Sequence, residues 1–238
     1  MSKVLGVKID ELSLEQVLAK IRSFLKEKKL HQIATVNPEF ILAAQKNSDF
    51  KKILNDVDLS VPDGVGLKFA GWVSGQKIGK RITGIDLTWE LAKIASDNDY
   101  SMFLLGAGDG VAQKAADKMK QKYPNLKIAG CYAGTPDEEG IINKINNAHA
   151  DILLVAFGAP KQDKFIYDNK NRLNVKIAMG VGGTFDYISE IIPRAPKWIR
   201  SLGLEWFYRL IRQPSRLGRI FNAVIKFPIL IVWSRFFN

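Results

Sequence analysis

The sequence predicts an α/β fold: an open, mainly parallel sheet with helices on both faces, followed by a helical C-terminal appendage. Three observations predict it. Short apolar runs alternate with segments of helical period from about residue 32 to residue 186. The apolar runs end in loops rich in glycine, proline and small polar residues, and each loop opens a helix, the pattern of repeated strand–crossover units. Beyond Pro193 the composition changes to arginine and aromatic residues. With 238 residues, 47% of them hydrophobic, the chain can bury a sizeable core. The division read from composition is a core over 1–193 and an appendage over 194–238.

Taken in order, Leu12–Leu30 has a helical period, with Ser13 and Gln16 as a capping box. Gln32–Val36 is a strand, and Asn37-Pro38 turns it into a helix over Pro38–Lys46, because the residue before proline is pushed to extended geometry while proline suits a first helical turn. Phe50–Asp56 is a short helix and Leu59–Val61 a strand. Pro62 ends that strand for want of an N–H, and Gly64 allows the bend that presents Asp63. A helix over Gly64–Val73, a polar loop at Lys80–Gly84 and a helix over Ile85–Ser96 follow, with Thr83 or Asp86 at its start. Tyr100–Leu105 is a buried strand leading through Gly106-Ala107-Gly108-Asp109-Gly110 into a helix over Val111–Lys122. Then come a strand over Leu126–Tyr132, a helix over Glu139–Ala148, and the most apolar strand, Ile152–Phe157. The chain continues through Gly158-Ala159-Pro160-Lys161-Gln162-Asp163 into a helix over Lys164–Asn169. The last strand, Lys176–Gly180, ends in Gly182-Gly183-Thr184-Phe185-Asp186. This is a Rossmann-like arrangement, in which ligands sit outside the carboxyl ends of the strands.

The net charge is +11, and it is unevenly spread. From Arg194 onward there are nine basic residues and a single acid, Glu205. Such a segment points to phosphate, in a nucleic acid, an anionic lipid or a diphosphate substrate. Arg209, Arg212, Arg216 and Arg219 would share one face of a continuous helix, but Pro214 favours a kink or two helices. The tract from Ile220 to Phe237 is interrupted by Lys226 and Pro228. It reads as too short to span a bilayer and as an amphipathic segment lying in a membrane surface. One cysteine, Cys131, excludes a disulfide framework and suits a reducing compartment. Two distant histidines make a zinc site improbable, and Met1–Asp10 lacks the apolar stretch of a secretory leader.

The candidate site residues all fall at strand ends on one rim. Thr35 and Asn37 leave the first crossover loop, although Asn37 could equally cap its helix. Asp63 stands on its bend. Arg81 approaches a helix N-terminus, where an anion would be favoured. Gly106, Gly108 and Asp109 form a G-x-G turn without the third glycine of a dinucleotide fingerprint and without a P-loop lysine. Tyr132, Gly158, Lys161, Gln162, Gly182 and Asp186 complete the rim. Asp56 and Asp58 have D-x-D spacing but precede an apolar strand, so a metal-independent site is expected.

Thr35-Val36-Asn37-Pro38-Glu39-Phe40, Val61-Pro62-Asp63-Gly64, Arg81-Ile82-Thr83-Gly84, Leu105-Gly106-Ala107, Phe157-Gly158-Ala159-Pro160-Lys161-Gln162 and Gly180-Val181-Gly182-Gly183-Thr184-Phe185-Asp186 resemble the signature blocks of the WecG/TagA/CpsF glycosyltransferases. The tail, Arg194-Ala195-Pro196 through Gly203-Leu204-Glu205-Trp206 to Pro214-Ser215-Arg216, is similar to that family's C-terminal block. The likeness is greatest to the TagA branch of wall teichoic acid synthesis. The resemblance implies transfer of N-acetylmannosamine, with inversion, from a UDP-sugar donor to the 4-hydroxyl of undecaprenyl-diphosphate-linked N-acetylglucosamine. It implies Asp63 as the base and Thr35, Asn37, Arg81 and Gln162 as active-site residues. By their place on the same rim, Gly106, Gly108, Asp109, Tyr132, Gly158, Lys161, Gly182 and Asp186 are expected to hold the nucleotide-sugar. The tail arginines would bind diphosphate and the membrane at its cytoplasmic face. No cofactor is implied, and self-association is left open.

Three rival readings have distinct tests. A related enzyme could use UDP-N-acetylmannosaminuronic acid or UDP-glucose, which a donor screen decides. A nicotinamide-dependent oxidoreductase is suggested by the G-x-G turn but lacks the acid about 20 residues on. A nucleic-acid-binding protein is suggested by the pI of 9.6, but the apolar runs of the basic tail suit lipid better than a groove.

Overall fold

The computed structural model describes residues 2–196, 198–199, 202–214 and 217–237, and at 209, 236 and 237 only the backbone. The chain opens with an antiparallel hairpin, β1 (Ser2–Val4) and β2 (Val7–Ile9), that no sequence pattern announced. Leu5 and Gly6 both have positive φ, 48° and 77°, the conformation of a tight hairpin turn whose twist matches its strands. The hairpin is tied to the main sheet where the Asp10 N–H donates to the Ser60 carbonyl and the Ser60 N–H to the Asp10 carboxylate, both at 2.9 Å.

The main sheet has six strands, all parallel: β3 (His31–Val36), β4 (Leu59–Pro62), β5 (Ser101–Gly106), β6 (Lys127–Tyr132), β7 (Ile152–Ala156) and β8 (Ile177–Gly180), in the spatial order β4-β3-β8-β7-β5-β6. Alternate side chains enter opposite layers, as strand geometry requires. Met102 and Leu104 pack under α1 (Leu14–Phe24), α5 (Gly84–Asp97), α6 (Val111–Lys122) and α9 (Thr184–Ile188). Phe103 and Leu105 pack under α7 (Ile141–Asn147) and α8 (Lys161–Asp168). The second layer continues with Ala34 and Val36 under α2 (Pro38–Lys46), α3 (Ser48–Asp56) and α4 (Val65–Ser74). The crossover from β5 passes through α6 to β6 on one side, and that from β7 through α8 to β8 on the other. The carboxyl ends of β5 and β7 therefore flank a topological switch point.

Most elements form where the periodicity puts them. Helix α1 carries the expected capping box, but it stops at Phe24 rather than Leu30, because the following turn leads through buried Leu30 into β3 at His31. Helix α8 starts at Lys161 rather than Lys164, so Gln162 lies on a helix instead of in the loop before it.

The tail breaks at Pro214 as expected, into α10 (Glu205–Arg212) and a second helical run. That run corrects the sequence reading. The tract is not interrupted at Lys226 and Pro228: α11 (Leu217–Phe221), one π turn (Asn222–Lys226) and α12 (Phe227–Phe237) follow without a gap. The Phe227 N–H reaches the Asn222 carbonyl, a wider turn immediately before Pro228, whose ring would crowd a regular α turn. Leu217–Arg235 spans 19 residues at mean hydropathy 1.4, long and apolar enough by length and composition to cross a membrane. Its Ile220, Phe227 and Ile231 are nevertheless buried, and Phe227 and Ile231 join Phe40, Leu67 and Ala70 in one cluster. Full burial of a side chain such as Phe227 contributes about 1.5–3 kcal/mol, so the tail is packed on the core.

Candidate active site

A cavity of about 260 Å³ opens at the carboxyl ends of β3, β4 and β8. Its floor and walls include Thr35, Asn37, Asp63, Arg81, Gly158, Gln162 and Gly182. From the tail come Gly203, Glu205, Trp206, Arg219 and Ile220. Segments separated by more than a hundred residues thus meet in one cleft.

Each side chain is set by local structure. The Asp63 N–H donates to the Val36 carbonyl at 2.7 Å, extending the β3–β4 ladder by one residue beyond Pro62. The bend follows at Gly64, with φ of 104°, a conformation that side-chain-bearing residues rarely adopt. The Asp63 carboxylate accepts from the Gly84 N–H at 3.1 Å. Gly84 is the first residue of α5, so the carboxylate lies at a helix N-terminus, where negative charge is favoured. Gly84 faces this group closely: an added Cβ would come 3.3 Å from Thr35 Oγ1 and 3.9 Å from Asp63 Oδ2. Thr83 caps α5, accepting from the Asp86 N–H at 3.1 Å. The Ile82 N–H donates to the Pro62 carbonyl at 3.0 Å, which pins the loop carrying Arg81 to the end of β4.

Asn37 does both jobs left open by the sequence. Its Oδ1 accepts from the Phe40 N–H at 3.1 Å and caps α2, while the residue lines the cleft; the amide N–H₂ is the group remaining for a ligand. Gln162 is buried on the first turn of α8, its Oε1 accepting from the N–H groups of Gly158 at 3.1 Å and Gly182 at 2.8 Å. It thereby ties the loop after β7 to the loop after β8. A Cβ on Gly180 would overlap the Gln162 amide, so glycine is needed there.

The cations of the cleft are held by carboxylates across the core–tail seam. Arg81 Nη2 donates to Glu205 Oε2 at 3.3 Å, and Arg194 Nε lies 3.8 Å from Glu205 Oε1. Arg194 also donates to Asp86 at 2.8 Å and Thr83 at 3.2 Å. Arg219 donates through Nε to Glu39 at 2.8 Å. Glu205, Arg194, Glu39 and Trp206 were not singled out as site residues from the sequence. The one available signal was that Glu205 is the sole acid among nine tail cations, and a lone acid in a basic stretch needs a partner.

Other expected positions lie elsewhere. Gly106, Gly108 and Asp109 sit at the end of β5, one strand beyond β7 and outside the cavity lining. Gly106, with φ of 90°, packs against the Phe157 ring, which a Cβ would approach to 2.9 Å. Tyr132 belongs to the outermost strand, bonded to Glu138 with Lys144 over its ring. Lys161 and Asp186 are near the rim but do not line the cavity. Arg212 is exposed and stacks on Tyr208, also away from it. Arg216 and the side chain of Arg209 lie outside the described residues.

Asp56 and Asp58 are at the amino end of β4, on the opposite edge of the sheet. Asp56 binds Lys52 and Tyr167, and Asp58 binds Lys170 at 2.8 Å. Among the described residues no group of three or more His, Cys, Asp or Glu is arranged to hold a metal ion. Burial pushes the Cys131 thiol up to about 11, so it is no ready nucleophile.

A carboxylate, two guanidinium groups and buried amides converging on one cleft suit transfer to a hydroxyl from a donor whose leaving group carries phosphate. The sequence model of the glycosyl transferase WecG/TagA/CpsF family matches residues 2–238. Over 201 residues the chain is 35% identical to an N-acetylglucosaminyldiphosphoundecaprenol N-acetyl-beta-D-mannosaminyltransferase of Bacillus subtilis (strain 168), covering 84% of this chain and 78% of that protein. A protein of the same name from Staphylococcus aureus (strain MRSA252) is 32% identical over 220 residues, 91% of this chain and 87% of its own length. With a family match across nearly its whole length and such relatives beside it, the chain belongs to the WecG/TagA/CpsF family and is a glycosyltransferase.

Proposed function

We propose that the enzyme transfers N-acetylmannosamine from UDP-N-acetylmannosamine to the 4-hydroxyl of undecaprenyl-diphosphate-linked N-acetylglucosamine, with inversion, at the cytoplasmic face of the membrane. The product is the β-1,4 disaccharide that begins a teichoic acid linkage unit. The donor and acceptor come from the names of the relatives. The observation that carries the chemistry is the Asp63 carboxylate in a cleft whose cations come from both the core, as Arg81, and the tail, as Arg219.

In this reading Asp63 takes the proton of the acceptor hydroxyl as its oxygen bonds to the anomeric carbon. The bond from that carbon to the diphosphate breaks, and its electron pair leaves on UDP. A general base contributes typically 10²–10⁴ in rate. Fixed cations aimed at the departing diphosphate supply the larger stabilisation. Glu205 and Glu39 hold Arg81 and Arg219 in place until the diphosphate takes over part of their hydrogen bonding. The Gly106–Asp109 turn and Gly158 flank the switch point between β5 and β7, the position expected for a nucleotide beside the reacting sugar.

The lipid acceptor stays in the bilayer, so the cleft must meet the membrane. Exposed apolar side chains near it support this: Trp198 and Ile211 are 64% and 63% exposed, and Leu202, Phe207, Phe221 and Ile229 add to them. A monomeric soluble protein rarely exposes so much apolar surface together.

The direct test is transfer to a short-chain analogue of the lipid acceptor from a panel of UDP-sugars, with and without chelator. UDP-N-acetylmannosamine is expected to be the preferred donor, with the rate unchanged by chelation. A preference for UDP-glucose or a uronic acid donor would overturn the assignment of substrate. Loss of activity on chelation would overturn the role given to the arginines.

A further inference from the structure

A second cavity, of about 490 Å³, lies on the far flank of the tail helix, between that helix, α4, α2, α3 and the N-terminal hairpin. Three cations line it, Lys3, Lys51 and Arg235, together with Gln45, Ser74 and Gln76, and among the described residues no acidic side chain does. None of the three cations has a carboxylate partner among the described residues, whereas the lysines at the amino edge of the sheet, Lys170 and Lys176, each hold one at 2.8 Å.

The cavity is constructed from well-fixed parts. The hairpin turn that forms one wall is anchored by Gln45 Nε2 on the Leu5 carbonyl and Asn55 Nδ2 on the Gly6 carbonyl, both at 3.0 Å. The Lys3 N–H donates to Gln76 at 2.9 Å. Gly6 suits the turn through its φ of 77°, and the Lys51 amine lies over it, 2.7 Å from where a Cβ would stand. Ile231 closes the bottom, fixing the tail helix with Arg235 at the mouth.

Arg235 is three residues from Val232, a separation of about 60° around a helix. Val232 belongs, with Ile225, Ile229 and Trp233, to the exposed apolar face of the tail, and Trp72 of α4, the helix against which the tail packs, is 80% exposed. A cationic hollow thus opens next to an apolar face, the two-part chemistry of a phospholipid.

We propose that this cavity is a binding site for the phosphate headgroup of an anionic phospholipid, separate from the transfer cleft. The proposal rests on the membrane-docking reading above. It goes beyond that reading in assigning a defined headgroup site to Lys3, Lys51 and Arg235, where diffuse attraction to the tail would need none. The acyl chains then lie along the apolar face of α12, and the bound headgroup sets the rotation of the tail helix on the leaflet. Each cation near an anionic leaflet strengthens attachment about fivefold, so the three together contribute on the order of a hundredfold.

The test compares three full-length proteins on vesicles of phosphatidylcholine alone and of phosphatidylcholine with one fifth phosphatidylglycerol. They are the unaltered chain, the triple variant Lys3→Gln, Lys51→Gln, Arg235→Gln, and the control Lys20→Gln, Lys26→Gln, Lys28→Gln. The control removes the same charge from around α1, on the other face of the sheet. The unaltered chain and the control are expected to prefer the anionic vesicles strongly, and the cavity variant to lose most of that preference. Its melting temperature and its transfer to a water-soluble acceptor analogue should be unchanged. Equal losses in both variants, or a preference retained by the cavity variant, would overturn the site. Binding of the unaltered chain to neither vesicle would overturn the membrane reading and the site with it, whereas equal binding to both vesicles would overturn the site alone. A second arm adds glycerol 3-phosphate at millimolar concentration. Little competition is expected, and full competition would reassign the cavity to a soluble phosphate.

Discussion

The two edges of the sheet use the same residue types for different ends. At the amino edge, Asp58 and Asp151 each accept a backbone N–H at the start of a neighbouring strand, from Gln32 and Ser101 at 2.9 Å, and each binds a lysine at 2.8 Å. At the carboxyl edge, Asp63 accepts a backbone N–H from a helix N-terminus, inside a cavity that Arg81 and Arg219 line. The amino edge neutralises its charges with flexible lysines from adjacent loops. The carboxyl edge draws its ion pairs from opposite ends of the chain, so they also decide where the tail sits. A carboxylate at a strand end is therefore structural or chemical according to what the crossovers bring opposite it.

The comparison predicts its largest contrast at Asp63 and Asp58. Asp63→Asn is expected to lower turnover by about 10²–10⁴ while UDP affinity and melting temperature stay near those of the unaltered enzyme; steady-state kinetics beside calorimetric titration checks both. Undiminished turnover would move the base elsewhere.

Asp163 comes next. It is fully buried beside Gln162, and neither of its carboxylate oxygens has a partner in hydrogen-bonding geometry. Burial pushes its carboxyl up from 3.8 to about 7, outweighing the opposing influence of the nearby Gln162 amide. The native state then holds a proton that the unfolded chain gives up, so stability falls as pH rises from about 4 to about 7 and stays reduced above. Asp163→Asn removes that penalty. Denaturant melts should show the variant more stable by on the order of a few kcal/mol at pH 8 and equal to the unaltered protein at pH 4.

Asp58 has the opposite sign. Burial alone would raise its carboxyl, but the Lys170 ammonium and the Gln32 N–H outweigh it and hold it below the usual carboxylate range. Its contribution is present at neutral pH and is lost as pH falls through the depressed value. Asp58→Asn should cost about 1.5–3 kcal/mol at pH 7, with the gap closing in acid and kcat little changed.

The smallest effect is expected at Glu205. Glu205→Gln leaves the shape of α10 intact but frees Arg81 from a carboxylate. UDP affinity should rise about fivefold, equivalent to roughly 1 kcal/mol, measured by titration. A fall would show that Glu205 braces Arg81 for the diphosphate and does not compete with it.

Much of this was legible in the residues, and the exceptions have physical causes. The Ser13–Gln16 box, the Asn37-Pro38 turn and the Pro62–Gly64 bend are local devices, set within four residues, and each stands where the sequence puts it. The N-terminal hairpin escaped because three-residue strands carry too few alternations to show a period. The tail escaped because Pro228 reads as a breaker until a π turn beside it is seen to absorb it.

The sequence by itself determined which segments become strands and helices, which residues stand at strand ends, and that the last 45 residues are cationic and apolar, since all of these are local properties of the chain. Only the tertiary structure decided which strand ends share a cleft. The order β4-β3-β8-β7-β5-β6 joins Asp63 to Gln162 and sets Gly106 and Tyr132 apart. It also decided that Glu205 meets Arg81 across 124 residues. Strand order and tail docking arise from burying faces against one another over long separations, and no pattern within a single segment encodes which partner a face will find.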